Sequence, residues 1–263
     1  MRTISIVTPV HSDGTRFLAE AYASLEAQTL PADWSWEWCV QEDGDGVNSA
    51  ARLPPNDPRI HIGSSRRGGP HVARTMAFAR STGEYVKNLD SDDRLAPGVL
   101  ARDISVLISR PDIGWTTSRV VDLLEDGTTR TFESDPESGL LPSGSSYAFW
   151  DKHRRPQVHP ATLCVRRPLL ALLGGWMALP ASGDTGLLLG LDALSNGWFS
   201  REIGLIYRKH AGQITTHPAH RAGPEWEARM SLIQEHALAL RAWSDGRNAS
   251  NTPELLQDRF RSL

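Results

Sequence analysis

The chain opens on Ile4-Ser5-Ile6-Val7, an alternating β-branched run that reads as a strand stopped at Pro9. From Thr15 to Gln28, apolar residues at Phe17, Leu18, Ala21, Leu25 and Ala27 keep a helical period. Trp34 to Val40 is the next strand, with Trp34, Trp36 and Trp38 on one face and Cys39 and Val40 beginning the buried end. It runs into the acidic turn Gln41-Glu42-Asp43-Gly44-Asp45-Gly46. Ile60-His61-Ile62 is a short third strand. Gly68-Gly69-Pro70 then opens a helix from His71 to Ser81, with Val72, Met76 and Ala79 facing inward. Tyr85-Val86-Lys87-Asn88-Leu89 is a further strand ending in Asp90-Ser91-Asp92-Asp93, and Leu95 to Ser109 is helical.

The second half is less regular. Ile113 to Leu124 predicts one or two strands turning at Glu125-Asp126-Gly127. Residues 133–148, rich in Ser, Gly, Pro and acid, predict a mobile loop. His159 to Val165 is a strand candidate, Leu169 to Leu173 a helical turn closed by Gly174-Gly175-Trp176, and Thr185 to Leu194 a helix. Glu202 to Tyr207 is a late strand. Glu225 to Trp243 is a long amphipathic helix with Trp226, Met230, Ile233, Ala237 and Leu240 on one stripe. That stripe predicts packing on the domain, with homodimerisation as the alternative use.

Strand and helix alternate through the first 110 residues, the pattern of an α/β fold: an open, largely parallel twisted sheet with helices on both faces. Such sheets bind ligands outside the carboxyl ends of their strands. Two strands end there in acid, at Asp43 and at Asp90 to Asp93.

Composition narrows the class. At roughly 150 residues per domain, 263 residues allow one large α/β domain or two small ones. The 40% hydrophobic content needs a buried core, which excludes disorder over most of the chain. A net charge of −3 argues against a nucleic-acid partner. Cys39 and Cys164 read as two reduced core thiols. No apolar run reaches the ~18 residues of a membrane span, and the apolar start is too brief for a signal peptide. The expected location is cytoplasmic, with no integral membrane segment.

Three acids within Asp90-Ser91-Asp92-Asp93 repel one another unless a cation sits between them. Mg²⁺ and Mn²⁺ suit such a place, since they take one or two carboxylates plus substrate phosphates. The competing reading is a solvated loop, with Asp93 capping the helix from Leu95.

The order Ile4-Ser5-Ile6-Val7-Thr8-Pro9-Val10-His11, Glu42-Asp43-Gly44, Arg67-Gly68-Gly69-Pro70-His71-Val72-Ala73-Arg74-Thr75, then Gly83-Glu84-Tyr85-Val86 through Asp93, resembles the family 2 glycosyltransferases. The resemblance is dense over residues 3–110 and thinner over 155–215. It implies a GT-A fold: a nucleotide-sugar donor half over 1–110, an acceptor-binding and catalytic half over 111–215, and a C-terminal helix and tail over 216–263. It also implies donor-site roles. Thr8, Pro9 and His11 would line the nucleoside, and Asp43 would pair with the base, commonly uracil. Arg67 and Arg74 would contribute to the donor site, Arg74 facing the base or a phosphate. Asp90 would turn toward the ribose and Asp92 would hold Mn²⁺ or Mg²⁺. Glu42 stands where the family usually has Asp, and Arg67 and Thr75 stand where it often has Asn.

Glycosyl transfer needs a neutralised leaving diphosphate, a base for the acceptor and exclusion of water. The resemblance places the base at Asp184, where the alternative is a plain helix N-cap. The residue before it, usually Glu in the family, is Gly183. His210 would be a third metal ligand or touch the diphosphate, with Arg208 and Lys209 adding positive charge. His159 and Trp176 are acceptor-binding candidates, against structural roles for each. The expectation is a metal-dependent, inverting glycosyltransferase with a UDP-type donor favoured and a small-molecule or saccharide acceptor. The rivals are a sugar-phosphate nucleotidyltransferase, disfavoured because Pro9-Val10-His11-Ser12-Asp13-Gly14 is not a Gly-rich phosphate loop, and a non-catalytic module of the same fold.

Overall fold

The computed structural model describes residues 1–132, 135–213 and 218–249, with the backbone alone at 247–249. The alternating runs form β1 (Arg2–Val10), α1 (Leu18–Glu26), β2 (Trp34–Asp43), β3 (Ile60–Ser65), α2 (Pro70–Arg80) and β4 (Tyr85–Asn88). Next come β5 (Arg94–Leu95), α3 (Val99–Ser109), β6 (Ile113–Leu123), β7 (Thr129–Arg130), β8 (Gly139–Leu141) and α4 (Ser145–His153). The chain continues through β9 (Cys164–Arg166), α5 (Arg167–Leu172), α6 (Gly183–Leu194), β10 (Asn196–Arg208) and α7 (Pro224–Ala249).

The ten strands among the described residues join one sheet, in the order β3-β2-β1-β4-β9-β6-β10-β5, with β7 beside β6 and β8 beside β10. From β3 to β4 every pairing is parallel, as the alternation predicts. Beyond β4 the sheet is mixed: β9 runs antiparallel to both β4 and β6, while β6 and β10 are parallel to each other. This reversal positions the site. Residues that leave β1, β2, β4 and β10 emerge at one edge, and the residue that leads into β9 arrives at that same edge.

Alternation within the strands feeds two core layers. Ile4, Ile6, Trp34, Trp36, Trp38 and Val40 join Leu18, Leu25, Leu100 and Ile104 on one face. Val7, Cys39 and Val86 join Phe78, Trp115, Leu187 and Leu188 on the other. A third cluster, Trp150, Leu189, Met230, Ile233 and Ala237, seats α7 and α4 on α6. Both cysteines are free and buried. Among the described residues no helix is long and apolar enough to cross a membrane.

Several elements differ from the sequence expectations, each for a physical reason. The inward face of α2 is His71, Ala73, Arg74, Ala77 and Phe78; Met76 is 42% exposed and Ala79 is exposed. Hydrophobicity pointed to the wrong face because the buried one carries two polar groups. The helix expected from Leu95 starts at Val99, since Leu95 pairs with β10 and Pro97-Gly98 intervenes, Gly98 having φ +74°. Asp93 is therefore no cap; it is buried and accepts from the Arg208 N–H at 2.9 Å.

The loop expected over 133–148 holds β8 and the start of α4, with residues 133 and 134 outside the described residues. The cap of α4 comes from a distance: Asp192 accepts from the Ser146 and Tyr147 amides at 3.1 and 3.0 Å. Residues 160–162 form a 3₁₀ turn, so the strand near His159 is only Cys164–Arg166. The strand at 202–207 is longer, Asn196–Arg208, with register shifts between Ser200 and Ile203 and between Ile203 and Leu205.

Candidate active site

The end of β4 carries the first half of the site. Asp90 accepts from Arg74 Nη2 at 2.5 Å. Burial opposes the Arg74 charge, but the Asp90 and Asp184 carboxylates outweigh it and hold the guanidinium protonated. Two residues on, Asp92 Oδ2 lies 2.9 Å from His210 Nε2, which the end of β10 delivers. Phe17 packs on the His210 ring at 5.3 Å between centroids and lies beneath the Arg208 guanidinium. Arg208 Nε donates to the Asp92 carbonyl at 2.9 Å, tying β10 to the acidic turn. Burial and the neighbouring Asp92 and Asp90 charges raise the Asp93 carboxyl well above the usual range.

The second half sits at the start of α6. Ser182, just before it, adopts a left-handed conformation at φ +62°, uncommon for a residue with a Cβ. Arg229 of α7 holds it there, donating to Ser182 Oγ at 2.6 Å. Asp184 follows in the first helical turn, with Oδ1 accepting from the Thr185 amide at 2.8 Å. Burial works to raise its carboxyl, but His71, Arg74, the Thr185 N–H and His159 outweigh burial and hold it below the usual range. Burial and Arg74 push His71 down to about 4, so that ring is neutral near pH 7. The lasting cation facing Asp184 is Arg74.

His159 leads into β9 and packs at a tilt against Tyr207, with ring centroids 4.9 Å apart and the planes at 55°. Burial lowers its pKa against the raising influence of Asp184 and Asp90. Burial and the same acidic group raise the Tyr207 phenol, which stays protonated.

The remaining sequence candidates fall into four groups. The Thr8 hydroxyl is internal, donating to the Leu89 carbonyl and accepting from Trp38 Nε1, each at 2.7 Å. Pro9 lies buried in β1 opposite Gln41, beyond the last β4 pairing at Asn88, where its missing N–H costs nothing. His11 and Asp43 lie at the site's edge: His11 Nδ1 accepts from the Asp13 amide, and the Asp43 carboxylate accepts from the Gly68 and Gly69 amides at 2.6 and 3.0 Å. Asp43 therefore already shapes the turn into α2. Arg67 is exposed beside Gly44. Trp176 is 5% exposed in the second core layer, which is its structural role, and its amide donates to Thr75 Oγ1 at 3.0 Å. Residues 214 and 215, and so the end of the 111–215 half, lie outside the described residues, as does most of the C-terminal tail.

Asp92 and His210 suit a divalent ion. Two donors 2.9 Å apart match the spacing of neighbouring ligands on an octahedral ion with bonds of about 2.1 Å. His210 Nδ1 is buried without a hydrogen-bond partner among the described residues. No group of three His, Cys, Asp or Glu able to hold a metal occurs among those residues, so phosphate oxygens would complete the shell.

The architecture is of GT-A type. The profile of glycosyl transferase family 2 matches residues 5–163, and the chain belongs to that family. It is 29% identical over 179 residues to the O-antigen biosynthesis protein RfbC of Myxococcus xanthus, covering 65% of this chain and 13% of that protein. It is 28% identical over 105 residues to an N-acetylglucosaminyltransferase of Mesorhizobium japonicum, covering 38% and 24%. An N-acetylglucosaminyltransferase of Bradyrhizobium elkanii is 26% identical over 124 residues, covering 45% and 66%. The chain thus spans an eighth to two thirds of these relatives. Among solved structures, S. aureus TarS 1–349 in complex with UDP-GlcNAc superposes with a TM-score of 0.68 at 17% identity, covering 96% of this chain and 74% of that one.

Sequence reasoning missed His71 and Tyr207. The signal for His71 was its spacing: it stands three residues before Arg74, so the two share a helix face. Tyr207 gave no local signal, because only the long β10 brings it beneath His159.

Proposed function

We propose that this chain transfers a sugar from a nucleoside diphosphate sugar, UDP-type and N-acetylglucosamine favoured, to an acceptor hydroxyl with inversion. The single observation that carries the reading is convergence: Arg74, Asp90, Asp92 and His210 meet Asp184 and His159 at one edge of the sheet. The N-acetylglucosaminyltransferase relatives and the UDP-GlcNAc complex of TarS support the choice of donor.

Asp184 is ionised near neutral pH and takes the proton from the attacking hydroxyl. Asp90 accepts from a ribose hydroxyl, and Asp43 and His11 flank the base. His159, neutral and half-buried, orients the acceptor, which is a small molecule or saccharide. Asp92 and His210 hold Mn²⁺ or Mg²⁺, which when bound neutralises charge growing on the leaving diphosphate. Arg74 adds a fixed positive charge on the donor side.

Thermal unfolding in the presence of UDP, UDP-GlcNAc and other nucleoside diphosphates, each with and without Mn²⁺, tests this. A ligand that binds only the native state raises the melting temperature. The expected result is a Mn²⁺-dependent rise with uridine ligands. No rise with any nucleoside diphosphate overturns the donor reading, and a rise independent of Mn²⁺ overturns the metal site.

A further inference from the structure

His71, 4% exposed on the first turn of α2, stands between two donors. Arg74 Nη1 lies 3.0 Å from its Nδ1, and the backbone N–H of Gly183 lies 3.1 Å from its Nε2. Neither a guanidinium nor an amide N–H can accept, and a neutral imidazole has one lone pair and one N–H. The ring is neutral near pH 7, because burial and Arg74 push it down to about 4. Only one of the two contacts can therefore be a hydrogen bond at any moment. The charged donor makes the stronger bond. With Arg74 in place, the ring proton sits on Nε2 and the Gly183 amide faces an N–H.

Gly183 is the first residue of α6, immediately before Asp184. The ring is wedged against it: a Cβ at position 183 would lie 2.6 Å from His71 Cγ and 2.5 Å from the Met177 carbonyl oxygen. Held this close to Gly183, the ring can answer a change at Arg74 by moving its proton.

We propose that His71 is a positioning residue that couples Arg74 to the base helix: when an anionic donor draws Arg74 off Nδ1, Nε2 accepts from Gly183. In that exchange one proton leaves Nε2 for solvent and one arrives at Nδ1, and the ring stays neutral. The first turn of α6 gains a hydrogen bond only when the donor site is filled, which readies Asp184 for the acceptor after the donor has bound. This rests on the donor and base assignments made above.

The test uses the full chain labelled with ¹⁵N-histidine, with Mg²⁺ present, before and after saturation with UDP. Ring nitrogen shifts distinguish bare from protonated nitrogen, and His71→Gln identifies the resonances. The expected result is a bare Nδ1 without UDP and a bare Nε2 with it. One tautomer in both states overturns the coupling.

Turnover of UDP-GlcNAc gives a second readout. His71→Phe, which cannot accept, should lower turnover roughly tenfold, about one hydrogen bond's worth, and more than it lowers UDP affinity. His71→Gln, which keeps an acceptor, should recover part of the loss. Unchanged turnover in the Phe variant also overturns the proposal. Calorimetry with UDP and turnover of Asp184→Asn run alongside. Absence of UDP binding, or full activity in Asp184→Asn, would count against the donor or base assignment, while the tautomers report on His71 separately.

Discussion

Two buried charge clusters lie within and just beyond β4, with Lys87 and Asp90 three residues apart, and they differ in what they leave unpaired. Lys87 is fully buried, and its Nζ donates to Asp103 Oδ2 and the Thr162 carbonyl, each at 2.7 Å. Asp103 Oδ1 accepts in turn from Thr116 at 2.8 Å. At the strand end, Arg74 Nε, Asp93 Oδ2, His159 Nδ1 and His210 Nδ1 are buried without hydrogen-bond partners among the described residues. Leaving a buried polar group unsatisfied costs about 1–3 kcal/mol. The first cluster is closed, as a structural ion pair should be. The second leaves these groups unmet beside the candidate donor site.

The largest expected effect falls on chemistry at the open cluster. Asp184→Asn keeps the size of the side chain and a capping oxygen, so the fold should persist, while transfer drops by about two to four powers of ten. Sugar-transfer rates within about threefold of wild type would reject the base and leave Asp184 a structural residue of the first turn of α6, since acid–base catalysis works on a far larger scale.

At the closed cluster the loss should appear in stability. Lys87→Met strands Asp103, and breaking one partner of a buried pair costs about 3–5 kcal/mol. Chemical denaturation should register that loss, with UDP affinity retained in the folded fraction. A variant as stable as wild type would contradict the closed reading.

Acid should separate the clusters further. The unfolded chain binds a proton on His71 near its ordinary value of 6.5, whereas the folded chain resists until about 4. The stability this ring contributes is complete above pH 6.5 and is lost as pH falls toward 4, on the order of 3 kcal/mol. His159 shifts in the same direction, and Asp93, raised by burial, acts oppositely. The difference between the wild-type and His71→Gln stability curves isolates the ring. Parallel curves across this window would contradict the burial of a neutral His71.

The smallest effect is expected at His210. His210→Ala should weaken UDP about tenfold, the scale of one charge-assisted contact, and leave uridine nearly unchanged. Equal losses for UDP and uridine would move His210 from the diphosphate to the nucleoside.

These clusters also show what the sequence made legible. Alternation in Ile4–Val7 and Trp34–Val40 located the parallel wing, and the acids after Leu89 marked the candidate site, because both signals are local. The inward face of α2 was misread because His71 and Arg74 are polar, and a helix that serves a site breaks the hydrophobic pattern that otherwise reveals its core face. The start of α4 was hidden because its cap, Asp192, lies 46 residues later. Trp176 carried two readings, sugar stacking or core, and the abundance of nine tryptophans favoured the core; it is buried in the second core layer.

The central claim is that the end of β4, and not the ion pair inside it, binds the donor. Calorimetric titration of UDP with Mn²⁺ into wild type and Asp92→Asn tests it most directly. The account predicts Mn²⁺-dependent binding by the wild type and loss of most of that affinity in the variant, with its melting temperature in the absence of ligand little changed. Equal, metal-independent affinities in both proteins would contradict it.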